Sequence, residues 1–114
     1  MVSFKAAPLA TVALAAVANA VKCSNHGDSY AFCVYKAYEF DSKLGSKNYH
    51  GNSDCGKCHT IDIHPVGSFV YLGRDTITMF SGRDCTGLLG KSSADWYKPA
   101  TSVQGRFMQS YNVC

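Results

Sequence analysis

Thr-Ile-Thr-Met-Phe-Ser-Gly-Arg-Asp-Cys-Thr-Gly-Leu-Leu-Gly, residues 76–90, is the stretch that decides the fold class of this chain. Its first five residues are mostly β-branched or bulky, which favours a strand over Thr76–Phe80. The glycines that follow Ser81 allow tight backbone turns, so the second part of the stretch predicts a hairpin. No segment has the sustained 3.6-residue apolar repeat of a helix.

Segments on both sides of this stretch have the same character. In Tyr30–Phe40, aromatic and β-branched residues alternate at a period of two, which predicts a strand with one buried face. Further strands are predicted at Thr60–His64, at Phe69–Leu72 and near Phe107–Val113, with a short piece at Lys47–Tyr49 between turns and a loop over Lys91–Ser102. Short strands separated by regular turns indicate an all-β sandwich.

The start of the chain has the features of a secretory signal peptide. Lys5 precedes the uncharged stretch Leu9–Val17, and the small residues Ala18-Asn19-Ala20 follow it. A positive start, a short apolar stretch and a small-residue cleavage site are what the export machinery reads. We therefore predict a signal peptide over residues 1–20 and a single secreted domain over residues 21–114. A membrane span needs about 20 apolar residues, so we expect a protein that does not span a membrane.

All six cysteines lie after the predicted cleavage site: Cys23, Cys33, Cys55, Cys58, Cys85 and Cys114. An even number of cysteines in a small exported chain indicates a disulfide framework. Disulfides would compensate for the small core of such a domain, because each adds about 2–4 kcal/mol to the free energy of unfolding. Six cysteines allow fifteen pairings, so the count alone leaves the pairs open.

The charged residues do not point to a nucleic-acid partner. Ten of the eleven Lys and Arg residues and all eight Asp and Glu residues follow position 20, which gives a mature net charge of about +2. The basic residues are spread from Lys22 to Arg106 without a dense run. A mild and dispersed charge favours solubility over binding to a polyanion. We expect a monomer that does not bind nucleic acid.

One short motif suggests a cofactor. Cys55-Gly56-Lys57-Cys58-His59 fits the C-x-x-C-H pattern of c-type haem attachment, and Met79 or Met108 would supply the second axial ligand. Cytochromes c surround their haem with helices, which this sequence does not predict. The four other cysteines would have no role in a cytochrome. We therefore expect no haem.

The same cysteines raise two further alternatives. A zinc site that adds His59 and His64 lacks the usual separation between the two ligand pairs. A redox-active dithiol lacks its strand–helix–strand context. We therefore expect no metal and no other cofactor, with Cys55 and Cys58 each bridged to a distant strand.

An enzyme is the remaining alternative from the residues themselves. The four histidines and the only glutamate are the candidates for acid–base chemistry of the secreted-ribonuclease type: His26, His50, His59, His64 and Glu39. Their spacing does not imply a shared site, and Glu39 and Asp41 lie at the predicted end of a strand, where charges ordinarily face water. The chain has neither a nucleophile elbow nor a phosphate-binding glycine loop. We expect a protein without catalytic residues.

Residues 77–87 and 110–113 resemble a βγ-crystallin Greek-key motif. In that family an aromatic residue is followed by a second bulky residue and then by a glycine, and a distant serine precedes the last strand. Phe80, Cys85, Gly87 and Ser110 fill these positions, with a cysteine where an aromatic residue is usual. The glycine permits a tight turn that a side chain would obstruct. The segment from Phe32 to Gly45 would be a degenerate first copy.

With its cysteines, the stretch Cys55–Cys114 is more specifically similar to small antimicrobial proteins of the macadamia type. Related folds occur in yeast killer toxins and in secreted effectors of leaf-infecting fungi. The resemblance implies two Greek-key motifs in a βγ-crystallin-like sandwich and the pairs Cys58–Cys85 and Cys55–Cys114, which leaves Cys23–Cys33. Many βγ-crystallins bind calcium, but Gly105–Gln109 offers no carboxylate where the family has its Asn/Asp pair.

The resemblance also implies a function. It predicts a secreted, non-enzymatic protein that acts outside the cell, as an effector in virulence toward a host or as an antimicrobial toward competitors. The source would be a fungus that colonises a host, and on a plant the location would be the apoplast. The target would be a protein receptor, a cell-wall component or a membrane component. The alternative is a secreted hydrolase such as a ribonuclease-like effector.

Overall fold

A computed structural model describes residues 23–114 of the chain, which contain eight β-strands. The strands are β1 Tyr30–Tyr35, β2 Ser46–Gly51, β3 His59–Thr60, β4 Ser68–Gly73, β5 Ile77–Phe80, β6 Leu88–Ser92, β7 Trp96–Lys98 and β8 Ser110–Val113. A 3₁₀ helix, Gly105–Phe107, precedes β8. The predicted all-β class is confirmed, whereas the predicted signal peptide lies outside the described residues. No helix within residues 23–114 is long and apolar enough to cross a membrane.

The strands form two antiparallel four-stranded sheets. Sheet 1 has the order β2-β1-β4-β7, and sheet 2 has the order β3-β8-β5-β6. The first four strands therefore place three members in sheet 1 and β3 in sheet 2, while the last four place three members in sheet 2 and β7 in sheet 1. Because each half of the chain pairs one strand with the other half, the halves cannot separate without breaking backbone hydrogen bonds in both sheets.

The main core lies between the two sheets. Its buried side chains come from both sheets: Tyr30, Phe32, Val34, Phe69, Tyr71, Ile77, Met79, Tyr111 and Val113, with Ile61, Val66 and Met108 from the connections. Phe32 lies at the centre, with its ring 5.0 Å from that of Tyr111 and 5.4 Å from that of Phe69. Such edge-to-face contacts are the favoured geometry for aromatic pairs. Alternation along β1 therefore directs every second residue into this core.

The outer face of β1 is also buried, contrary to the prediction of one buried face. All six residues of β1 are buried. Ala31, Cys33 and Tyr35 point away from the main core and form a second cluster with Cys23 and Val70. Phe40, Leu72 and Tyr97 pack against this cluster. The Cys23–Cys33 disulfide fixes Cys23 to this face, and the disulfide and these side chains together close the face to water.

Several predicted boundaries were wrong. The strand predicted over Tyr30–Phe40 ends at Tyr35, because Glu39 and Phe40 both have left-handed backbones with φ 58° and turn the chain. The loop predicted over Lys91–Ser102 contains β7, which pairs with β4. The strand predicted near Phe107 begins only at Ser110, after the 3₁₀ helix. The strand predicted over Thr60–His64 is the short β3.

Candidate functional site

The structure brings together the four residues of the predicted motif at the hairpin between β5 and β6. Cys85 has φ 56° and Gly87 has φ 78°, so the turn uses the left-handed region twice. Ser110, which is buried, lies opposite Phe80 in the β5–β8 pair. Its hydroxyl accepts a hydrogen bond from the Cys85 N–H at 3.0 Å and donates one to the Gly82 carbonyl at 2.5 Å. Ser110 thus fixes the hairpin against the start of β8.

The hairpin between β1 and β2 has the same contacts. Phe40 has φ 58°, and its N–H donates to the Ser68 hydroxyl at 3.0 Å. Ser68, also buried, donates to the Ala37 carbonyl at 2.7 Å and lies opposite Tyr35 in the β1–β4 pair. Gly45, with φ 129°, completes the turn. Aromatic residues rarely adopt the left-handed backbone region, because it is strained for a bulky side chain. The hydrogen bond to Ser68 therefore holds Phe40 in a strained backbone conformation.

Sequence reasoning placed a degenerate first copy in this region but missed Phe40 and Ser68. A usable signal was present in the spacing. Phe40 follows Tyr35 by five positions, as Cys85 follows Phe80. Ser68 begins its strand as Ser110 does. A search for this five-residue spacing together with a serine at the start of a later strand would therefore have predicted the duplicated contact.

We expect Ser110→Ala to lower the free energy of unfolding by about 2 kcal/mol, since it leaves the Cys85 N–H and the Gly82 carbonyl without their partner. That loss corresponds to a melting temperature about 10 °C lower for a domain of this size. Thermal unfolding followed by circular dichroism measures it. Ser68→Ala should cost a similar amount, and Ser93→Ala, at an exposed position, should cost almost nothing. Equal stability of the Ser110 and Ser93 variants would contradict this role.

Three disulfides join the described segments. Cys23 pairs with Cys33, Cys55 with Cys114 and Cys58 with Cys85, at Cα–Cα distances of 6.0, 4.8 and 5.9 Å. These are the pairs that the resemblance implies. Two of them meet beside Phe80, in a shallow depression that Cys55, Cys58 and Cys85 line together. The segment before β3 is thereby tied both to the hairpin after β5 and to the end of β8.

Non-reducing peptide mapping should recover these three linked peptides. The neighbouring cysteines Cys55 and Cys58 have different partners because one lies beside the end of β8 and the other beside the β5–β6 hairpin. A peptide that links Cys55 to Cys58, or Cys23 to Cys114, would contradict the framework.

The C-x-x-C-H segment has no free thiol for haem attachment. Covalent c-type haem requires a thioether at each cysteine of the motif, and both sulfurs are already in disulfides. The His59 ring instead stacks on Tyr111 with 4.9 Å between centroids. Burial lowers the pKa of the His59 imidazole below its ordinary value, and the charge of Lys57 adds to that shift. We predict a visible spectrum without a Soret band. A strong Soret band in native protein would overturn this.

The alternative metal ligands do not meet. His64 has its own contact, between its Nε2 and the Met108 carbonyl at 3.0 Å. Within residues 23–114, no group of three or more His, Cys, Asp and Glu side chains has the arrangement of a metal site. The segment before Ser110 contributes the 3₁₀ helix and offers no carboxylate for calcium. We therefore assign no metal ligand.

Two of the four histidines do come together. The rings of His26 and His50 lie 4.5 Å apart, and His50 Nδ1 is 2.7 Å from a carboxylate oxygen of Asp28. This exposed group lies where β2 meets the segment before β1. His59 and His64 have the separate neighbours described above. Glu39 is exposed in the β1–β2 hairpin. The predicted set of acid–base residues is thus divided among several surfaces.

Comparison with known proteins adds no family assignment. No protein-family model matches the chain, and neither the curated proteins nor the solved structures contain a significant match.

Proposed function

We propose that this chain is a secreted, non-enzymatic effector or antimicrobial protein built as a βγ-crystallin-like pair of Greek-key motifs. The observation that carries the proposal is the duplicated serine contact, in which Ser68 and Ser110 each fix a hairpin with a left-handed residue. The exchange of β3 and β7 between the sheets also supports the proposed pair of motifs, because each half of the chain gives one strand to the sheet of the other half. The pairs Cys55–Cys114 and Cys58–Cys85 are those of the macadamia-type proteins.

The proposed location is outside the cell. All six cysteines are in disulfides, which form and persist in oxidising compartments. Together with the signal peptide predicted for residues 1–20, this favours secretion by a fungus that colonises a host, into the apoplast if that host is a plant. Three disulfides also suit a protein exposed to proteases, because local opening is restricted.

A surface at the β1–β2 hairpin supports contact with a target. Tyr38 and Leu44 are 49% and 70% exposed. Leu44 and Tyr38 line a shallow depression with Arg106, whose guanidinium lies 5.7 Å from the centre of the Tyr38 ring. Large apolar side chains that cluster on a surface, rather than lie singly, are typical of interaction sites. We place the contact with a receptor or a surface component of the target cell here.

The test applies purified residues 21–114 to microbial cells and to plant cells and scores growth arrest against host response. We expect an effect on one of the two that the reduced and alkylated protein lacks. Leu44→Ser should weaken the effect, whereas Leu88→Ser, which removes a side chain that is 64% exposed in the other hairpin, should preserve it. No effect on either cell type at any soluble concentration would contradict the proposal.

The second candidate is a ribonuclease-like effector, and the His26–His50–Asp28 group is the observation that favours it. Paired histidines with a carboxylate on one ring are able to act as an acid and a base. Incubation of the purified protein with RNA separates the candidates, because a binding protein leaves RNA intact. Degradation that His50→Gln abolishes and His64→Gln preserves would establish the enzyme instead.

A further inference from the structure

The two halves of the molecule differ at one edge of the main core. In the first half, Lys47 and Tyr49 of β2 lie opposite Val34 and Phe32 of β1. Tyr49 packs against the core, and its hydroxyl lies 2.6 Å from a carboxylate oxygen of Asp62. This side of the core is therefore closed by a large side chain with its own hydrogen bond.

The second half presents small residues at the matching places. Gly90 and Ser92 of β6 lie opposite Met79 and Ile77 of β5. Gly90 lines a pocket of about 120 Å³ that is open on one side. Its apolar wall consists of Phe69, Met79, Leu89, Trp96 and Met108. Beside this pocket β6 has Gly90, whereas the matching residue of β2 is Lys47.

The rim of the pocket carries a single charge. Lys98 lines it together with Thr101 and Ser102, and no acidic side chain does. Among the described residues, the carboxylates that form ion pairs do so with Lys47 and His50, so Lys98 is not neutralised. An apolar wall below one free cation is complementary to an amphipathic anion.

The size of the pocket limits the ligand. A cavity of about 150 Å³ with aromatic and aliphatic walls accepts a benzene ring. A pocket of this size that is open on one side suits the apolar body of a one-ring compound or of a chain of about six carbon atoms. We propose that the pocket binds a small organic carboxylate whose apolar body lies against Trp96 and Met108 and whose carboxylate faces Lys98.

Trp96 is the only tryptophan, so its emission reports directly on the pocket. Titration with hexanoate should change that emission saturably. Hexanamide has the same size without the charge and should bind about fivefold more weakly, the upper end of the range for a solvent-exposed ion pair. A linear change without saturation, or equal affinity for the two compounds, would overturn the proposal.

Two variants separate the wall from the rim. A Cβ at Gly90 would lie 3.7 Å from the Trp96 ring, which is an ordinary contact, so Gly90→Val should extend into the pocket. We expect hexanoate to bind this variant at least about tenfold more weakly. Lys98→Gln should remove the preference for hexanoate over hexanamide, and Lys91→Gln, at an exposed position on β6 outside the pocket, should retain it. An unchanged hexanoate response in Gly90→Val would show binding elsewhere.

A measurement on the unmodified protein covers the case in which Gly90→Val does not fold. Met79 and Met108 are the two methionines of the described chain, and both line the pocket. Hexanoate should therefore shift the methyl resonances of both in an NMR titration, with the same saturation curve as the Trp96 emission. Methyl resonances that do not move would overturn the proposal.

Discussion

Reduction of the three disulfides at neutral pH should unfold the domain. The bonded cysteines are 59, 27 and 10 residues apart. In the chain-entropy account, loops of these lengths contribute about 3–4 kcal/mol each. Their combined contribution is comparable to the total free energy of unfolding of such a domain, about 5–15 kcal/mol. Circular dichroism and Trp96 emission after reduction and alkylation measure the result. Retained folding and heat resistance would contradict the prediction.

The individual disulfides should differ in how much they contribute to the free energy of unfolding. On loop length alone, Cys55–Cys114 stabilises the domain by at most about 1.6 kcal/mol more than Cys23–Cys33. The structure reduces this difference, because Cys23 and Cys33 are buried in the second cluster whereas Cys55 and Cys114 are exposed. Double alanine variants of each pair, compared by denaturant unfolding, measure the difference. A difference well above 1.6 kcal/mol would contradict the loop-length argument.

The alternation of apolar residues predicted the strands that carry the core, and it failed where tertiary contacts decide. β4 and β5 have strong β-formers and were found nearly at their predicted places. β7 has only three residues, and its pairing with β4 is long-range, so no local period shows it. The closed outer face of β1 depends on a disulfide and on Tyr97, which sequence alternation does not report.

For the candidate site, the spacing of the motif residues predicted their positions, whereas the residue types alone did not predict which histidines meet. The positions of Phe80, Cys85, Gly87 and Ser110 followed from a fixed motif. The His26–His50 contact did not, because it joins a strand to an irregular segment that the Cys23–Cys33 disulfide and side-chain hydrogen bonds hold in place. The pocket at Trp96 also escaped the sequence, because it results from a difference between two halves whose register is visible only in the sheets.

High pH should unfold the domain cooperatively, because its core contains buried phenols. Burial raises the pKa of Tyr35 to about 12 and that of Tyr71 to about 12. It also raises the pKa values of Tyr30, Tyr49 and Tyr111. The unfolded phenols titrate near pH 10, so this stabilisation is complete below about pH 10 and is lost as the pH rises through the folded values. Phenolate absorbance and circular dichroism should change together between about pH 10 and pH 12.

Tyr35→Phe isolates one of these phenols. Within the described residues the Tyr35 hydroxyl has no hydrogen bond, and its ring packs 5.9 Å from that of Phe40, so at neutral pH the variant should be about as stable as the unmodified protein. Near pH 12 the variant should be more stable than the unmodified protein by about 2 kcal/mol. In the unmodified protein the Tyr35 phenolate of the unfolded chain must take up a proton on folding, which costs free energy, and phenylalanine has no such cost. Tyr38→Phe removes the hydroxyl of a tyrosine that is half exposed and serves as the matched control. Denaturant unfolding of the three proteins at both pH values measures this. Equal losses of stability in the Tyr35 variant and the unmodified protein would mean that Tyr35 ionises without unfolding the outer face of sheet 1.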